Sequence, residues 1–186
     1  VQREVGPGAL ARLIGGALRV DAAAFREAVG ADSRTRLYLA IVLVAAVAAG
    51  FATATEAVSS GLLSEREVSV HRVLLIGWAL AVALQFVLFA CAVWGLRVVT
   101  RRPPVPFRAL LRLLALSLAP SVLLVLGPLF GQTAIVTAIV TVWRWVIATA
   151  GLRIATSASW PGAVLTVVLA DLVSAPVAEL VMLGVR

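Results

Sequence analysis

Between Leu37 and Val58 the chain offers one charge, Glu56, and four later stretches are nearly as bare: about 73–99, 109–127, 131–154 and 161–184. Roughly 20 consecutive apolar residues are what a helix needs to cross a bilayer core. Five such runs in one chain predict an all-α integral membrane protein with five spanning helices. The totals agree. The 186 residues are 62% hydrophobic and only 13% charged, with a mean hydropathy of +1.06, where a soluble domain carries about 25% charged residues. All sixteen basic residues are arginine and asparagine is absent, which we read as the coding bias of a GC-rich, bacterial gene.

Proline and glycine punctuate the runs, as in Arg101-Arg102-Pro103-Pro104, Gly127-Pro128 and Trp160-Pro161. The third and fourth spans are joined by a very short turn and should form an antiparallel hairpin. A four-span chain with a re-entrant segment near Pro120 to Pro128 is the alternative. The cytoplasmic (inner) membrane is the expected location, with the first span itself directing insertion.

The net charge of +7 does not point to nucleic acid, because the arginines flank apolar runs. Six precede the first span (Arg3, Arg12, Arg19, Arg26, Arg34 and Arg36). Five more (Arg97, Arg101, Arg102, Arg108 and Arg112) surround the loop between the second and third. Arg66 and Arg72 on the other side are offset by Glu65 and Glu67. The positive-inside tendency then puts the N-terminus in the cytoplasm.

Residues 1–36 form a cytoplasmic segment, and 9–29 read as one amphipathic helix. Leu10, Leu13, Ile14, Ala17, Leu18, Ala22, Phe25 and Val29 recur at helical steps, while Arg12, Arg19 and Arg26 repeat every seventh residue. Its expected place is the membrane surface, arginines towards lipid phosphate. Docking on the protein's own loops or on a partner is the other possibility.

Chemistry has little to work with. There is no HExxH, GxSxG, Gly-rich phosphate loop or cluster of metal ligands, so no enzyme, cofactor or metal is expected. Ser59, Ser157 and Ser159 sit at span ends, where such residues cap helices. Cys91 reads as a packing residue. His71, the one histidine, lies at a span edge, where it is ordinarily solvated and otherwise a ligand for a pigment or haem metal.

Two charges fall deep inside spans. At 1.5 Å per residue Arg144 lies roughly 18 Å below one boundary and Asp171 about 15 Å above the other, similar depths in a core of about 30 Å. Consecutive antiparallel helices would bring them together, and an Arg144–Asp171 ion pair locking the last two helices is the expected arrangement. A transport path through the pair, or an Arg144 that snorkels beside Trp143 and Trp145, are the alternatives. Ala45, Ala49 and Ala52 form a small-residue face open to contact by other helices.

The order of features has a parallel. "ALRVDAAAFREAVGADSRTR" (17–36) leads into an alanine- and valine-rich span, then "WALAVALQFVLFACAVWGL" (78–96), "PFRALLRLLALSLAPSVLLVLG" (106–127) and "VTVWRWVIATAGLRIATSASWPGAV" (140–164). Over roughly residues 15–186 this resembles the bacterial branch of the Yip family of five-span membrane proteins. The resemblance implies five helices, a cytoplasmic N-terminus and a helper role in membrane organisation or protein trafficking. It carries over no catalytic residue. The expected partners are the lipid bilayer and other integral membrane proteins or a larger membrane complex.

Overall fold

A computed structural model describes residues 7–30, 35–59, 68–100 and 105–184 of the chain. Among them the protein is helical throughout: α1 (Pro7–Leu18), α2 (Ala22–Gly30), α3 (Thr35–Ser59), α4 (Val68–Val99), α5 (Phe107–Ser117), a 3-10 segment (Ala119–Val125), α6 (Leu126–Phe130), α7 (Thr133–Thr156) and α8 (Trp160–Gly184). Four stretches are long and apolar enough to cross a membrane: Arg36–Glu56, Ala79–Val99, Phe107–Phe130 and Thr133–Thr156. In α8 the described apolar stretch is the shorter Trp160–Ser174.

The third of these stretches organises the bundle. Pro120 has no N–H to donate and its ring crowds the carbonyl four residues back, so an α-helix cannot run through it unchanged. The chain tightens into a 3-10 segment with Pro120 in its first turn and resumes as α6. Leu118 and Leu126, at the two joints, keep right-handed helical backbone angles. The backbone therefore stays helical through Pro120. Gly131, at φ 64°, closes α6 in the left-handed region that glycine tolerates, and Gln132 donates to the Gly127 carbonyl at 2.9 Å. That bond makes the tight turn into α7.

Burial grades across the spans. Within the Phe107–Phe130 stretch 67% of the window is buried, against 22% for α4. Leu110, Leu113, Leu114, Leu116 and Leu118 are almost fully enclosed. The 3-10 segment packs against α3 and α7, α5 against α7 and α2, and α4 joins α3 to α8. The column is thus the core, and α4 is an outer wall showing Leu80, Val87, Trp94 and Val98 on its free face. Cys91 also lies on that exposed side, so it is not a packing residue. The face of α3 proposed for outside helices is used internally: Ala45 and Ala52 are buried, because small side chains let α3 approach α4 and the 3-10 segment.

The single helix expected over 9–29 is two helices. Val20 turns to φ 56°, and Asp21 caps the second helix by accepting the Ala23 N–H at 2.9 Å, the role aspartate prefers at a helix start. The bend brings Gly16 against Ala24, where a Cβ on Gly16 would come within 2.9 Å of the alanine's. It also buries two separate apolar sets, Leu13 with Ala17 and Phe25 with Ala28, on a bundle surface that one straight stripe could not follow.

Val20 also packs against the core, so the strain of a β-branched residue at positive φ is isolated by comparing two truncations: Val20→Gly should be more stable than Val20→Ala by about 1 kcal/mol. Thermal unfolding in detergent, followed by circular dichroism, reads this directly. A higher midpoint for Val20→Ala would show that the turn is not strained.

Candidate functional site

Arg112 lies in the second turn of α5, two residues after Leu110 and with Leu113 beside it, and is itself only 2% exposed. Its Nε donates to the Ala28 carbonyl at 2.9 Å and its Nη2 to the Val29 carbonyl at 3.2 Å. Those carbonyls belong to the last turn of α2, where a helix has acceptors to spare and the negative end of its dipole. A guanidinium therefore fastens the N-terminal helix pair to the spanning column, and the carbonyls in turn satisfy a cation out of water. Beside it, Phe25 sits against Gly151 of α7 and Leu113 of α5. A Cβ on Gly151 would lie 3.1 Å from the Phe25 ring and 3.0 Å from Leu113. Only a residue without a side chain lets the ring seat so closely. Arg112 therefore lies inside the bundle and not in the loop; the signal in the sequence that marks it is its helical register with Ala109, Ala115 and Leu116, all buried.

The amphipathic segment is therefore docked on the protein through its apolar face. Arg12, Arg19 and Arg26 point away and are exposed. Arg12 approaches Glu27 at 3.8 Å, a solvated pair that contributes little. Arg97, also buried, lies at the same end of the bundle as Arg112.

That end carries aromatic rims as well. The Arg153 guanidinium stands 4.8 Å above the Trp160 ring, and Trp94 meets Phe107 edge-on at 6.1 Å. Trp94 and Trp160 are both exposed, as tryptophans at a membrane boundary are. Ser159 Oγ, accepting the Gly162 N–H at 3.4 Å, caps α8 at this level.

The mid-span charges meet differently from the expected ion pair. The Asp171 carboxylate accepts a hydrogen bond from Trp145 Nε1 at 3.2 Å, not a salt bridge from Arg144. Among the described residues no salt bridge joins Arg144 to Asp171, and Arg144 Nε is buried without a hydrogen-bond partner. Asp171 remains within electrostatic reach of the guanidinium. The physical reason is angular. Arg144 shares its face of α7 with buried Val140, Ile147, Ala148 and Gly151, so it points towards the bundle. Trp145, 100° round the helix, faces the flank of α8 and reaches the carboxylate first.

Other polar groups within the spans serve their own helices. Thr53, Thr55, Thr156 and Thr166 each donate to the carbonyl four residues back, at 2.6–3.0 Å, the usual way hydroxyls are satisfied away from water. Ser117 and Ser174 do the same three residues back. Among the described residues no three of His, Cys, Asp and Glu gather as a metal site would require. His71 falls within α4, but its side chain lies outside the described residues.

The class is then plain: an all-helical protein with several apolar helices of membrane-spanning length, the make-up of a multi-pass membrane protein. No protein-family model, no curated protein and no solved structure matches the chain.

Two outcomes check this geometry. Arg112→Gln should weaken docking of the helix pair by about 1.5–3 kcal/mol, the scale of hydrogen bonds from a charged donor. Amide exchange should then quicken in α1 and α2 while the spans stay protected; uniform protection would show that the clamp is unimportant. In a double-mutant cycle Trp145→Phe and Asp171→Ala should couple by about 1 kcal/mol, more than Arg144→Leu couples to Asp171→Ala. The reverse ranking would restore the direct ion pair.

Proposed function

We propose that the protein is a non-catalytic, Yip-like, five-span protein of a bacterial inner membrane that organises or assists other integral membrane proteins, as a helper or as an accessory subunit of a larger complex. Its N-terminus lies in the cytoplasm on this reading, as the arginine distribution suggests, with Arg12, Arg19 and Arg26 turned to the membrane surface or to whatever approaches it. The observation that carries the proposal is the use of Arg112. A cation out of water holds one part of the protein to another, which suits a platform with a fixed face better than a site that turns over substrate. The broad outer wall of α4 supports it, since a chain of this size leaves much apolar surface for neighbours or lipid.

One observation favours a second reading. Arg144 Nε has no hydrogen-bond partner, and an unsatisfied cation at mid-span is also how a pathway residue of a small transporter or channel component looks.

Removing the protein from its native membrane should lower the abundance or assembly of specific integral proteins that copurify with it in mild detergent. Quantitative membrane proteomics of deletion and complemented strains measures this. An unchanged membrane proteome, together with Arg144-dependent ion flux in proteoliposomes, would sink the organising role and favour transport.

A further inference from the structure

Arg153 stands in the last turn of α7 and is exposed. Its guanidinium carbon lies 4.8 Å from the centre of the Trp160 ring. A ring face attracts a cation, but the five N–H groups of a guanidinium lie in its own plane and need acceptors there. Among the described residues no carboxylate comes within salt-bridge distance of Arg153, and its side chain makes no hydrogen bond. The indole therefore fixes where the charge sits and leaves the donor edge unused.

What continues from Arg153 along α7 is apolar and open. Val146 and Val142, seven and eleven residues back, fall within about 20° of it around the helix, at about 10 and 16 Å along the axis. Both are exposed. In a core of about 30 Å they run from the helix end to about the midplane, the depth that the chains of one leaflet fill. On α8, Val164 lies one turn beyond Trp160 and is exposed too. The charge around this pair has one sign in excess. Every exposed arginine among the described residues, Arg12, Arg19, Arg26, Arg36, Arg108 and Arg153, lies at this end of the bundle, against Asp21 and Glu27.

From this geometry we infer that Arg153 and Trp160 hold the headgroup of an anionic phospholipid, of the phosphatidylglycerol class, whose acyl chains lie along Val146, Val142 and Val164. The open edge of the guanidinium donates to two phosphate oxygens, the planar match that arginine makes with phosphate. The indole keeps the cation at headgroup level, where tryptophan itself is at home. The surplus of arginines sets the choice of lipid, because it repels the ammonium group that a zwitterionic headgroup carries. The inference needs only the multi-pass class of the protein, and holds whether or not the chain organises other proteins.

The test strips lipid from the full-length protein in a neutral detergent and follows single lipid additions by native mass spectrometry. The first phosphatidylglycerol should bind about fivefold more tightly than the first phosphatidylcholine, the effect of one arginine beside an anionic headgroup. Arg153→Gln should remove this preference and Arg153→Lys keep part of it. Trp160→Leu leaves the charge in place but unfixed, so it should weaken phosphatidylglycerol binding while a preference remains. Arg36→Gln removes another exposed cation at the same end and should change nothing. Equal affinity for the two lipids, or a preference that survives Arg153→Gln, overturns the inference. So does an equal loss with Arg36→Gln, which would assign the preference to net charge alone. Glycerol phosphate, a headgroup without chains, should not displace the lipid at equal concentration; displacement would leave a phosphate site and no lipid site.

Discussion

Most of the helices take their place from the column Phe107–Phe130, and α8 is held to it through α4 and α7. The column is the most enclosed of the candidate spans, yet Pro120 withholds a backbone donor and crowds the carbonyl four residues back. The 3-10 tightening at Ala119–Val125 resolves the conflict inside the chain, since backbone groups away from water must find partners. The tightened segment is also where α3 and α7 press against the column. The irregular turn is thus held by its neighbours, and the neighbours are positioned by it. From the column's first turns Arg112 reaches out to fix α2, so the N-terminal helices inherit their position from the same element.

Three arginines show three solutions to one problem, a permanent cation among apolar side chains. Arg112 finds backbone carbonyls at a helix end. Arg153 lies over the face of Trp160 at the rim of the bundle, where the ring's negative face favours a cation. Arg144 keeps the Asp171 carboxylate within electrostatic reach without a hydrogen bond to it, because an indole N–H approaches that group instead. The first is complete within the chain, so it reads as structure. The second is fixed by the ring, with its N–H edge open. The third is balanced only at a distance, with its Nε unpartnered.

The long apolar helices were legible because a sustained apolar run leaves the backbone little but a helix in which to satisfy its polar groups. The runs read as 37–58, 131–154 and 161–184 became Thr35–Ser59, Thr133–Thr156 and Trp160–Gly184, and that at 109–127 became the column Phe107–Phe130. The depth match of Arg144 and Asp171 was legible too, since rise per residue is nearly constant. Which neighbour touches Asp171 was not, because one step along a helix turns a side chain by 100° and the sequence does not say where α8 lies around α7. The break at Val20 and Asp21 hid for a related reason: heptad-spaced arginines continue across it undisturbed.

What the sequence determined by itself is the helical, apolar character of the chain, the approximate limits of its long apolar helices and the matching level of Arg144 and Asp171 along theirs, all properties of local composition and helix rise. The tertiary structure alone decided which faces are inside. It turned Ala45 and Ala52 inward, exposed Cys91, seated Phe25 against Gly151 and converted Arg112 from a loop charge into a clamp. In an apolar chain nearly every helix face is hydrophobic, so pattern cannot distinguish the side that meets protein from the side that meets lipid. Shape does, through the few places where a small residue, a proline or a buried cation admits only one neighbour.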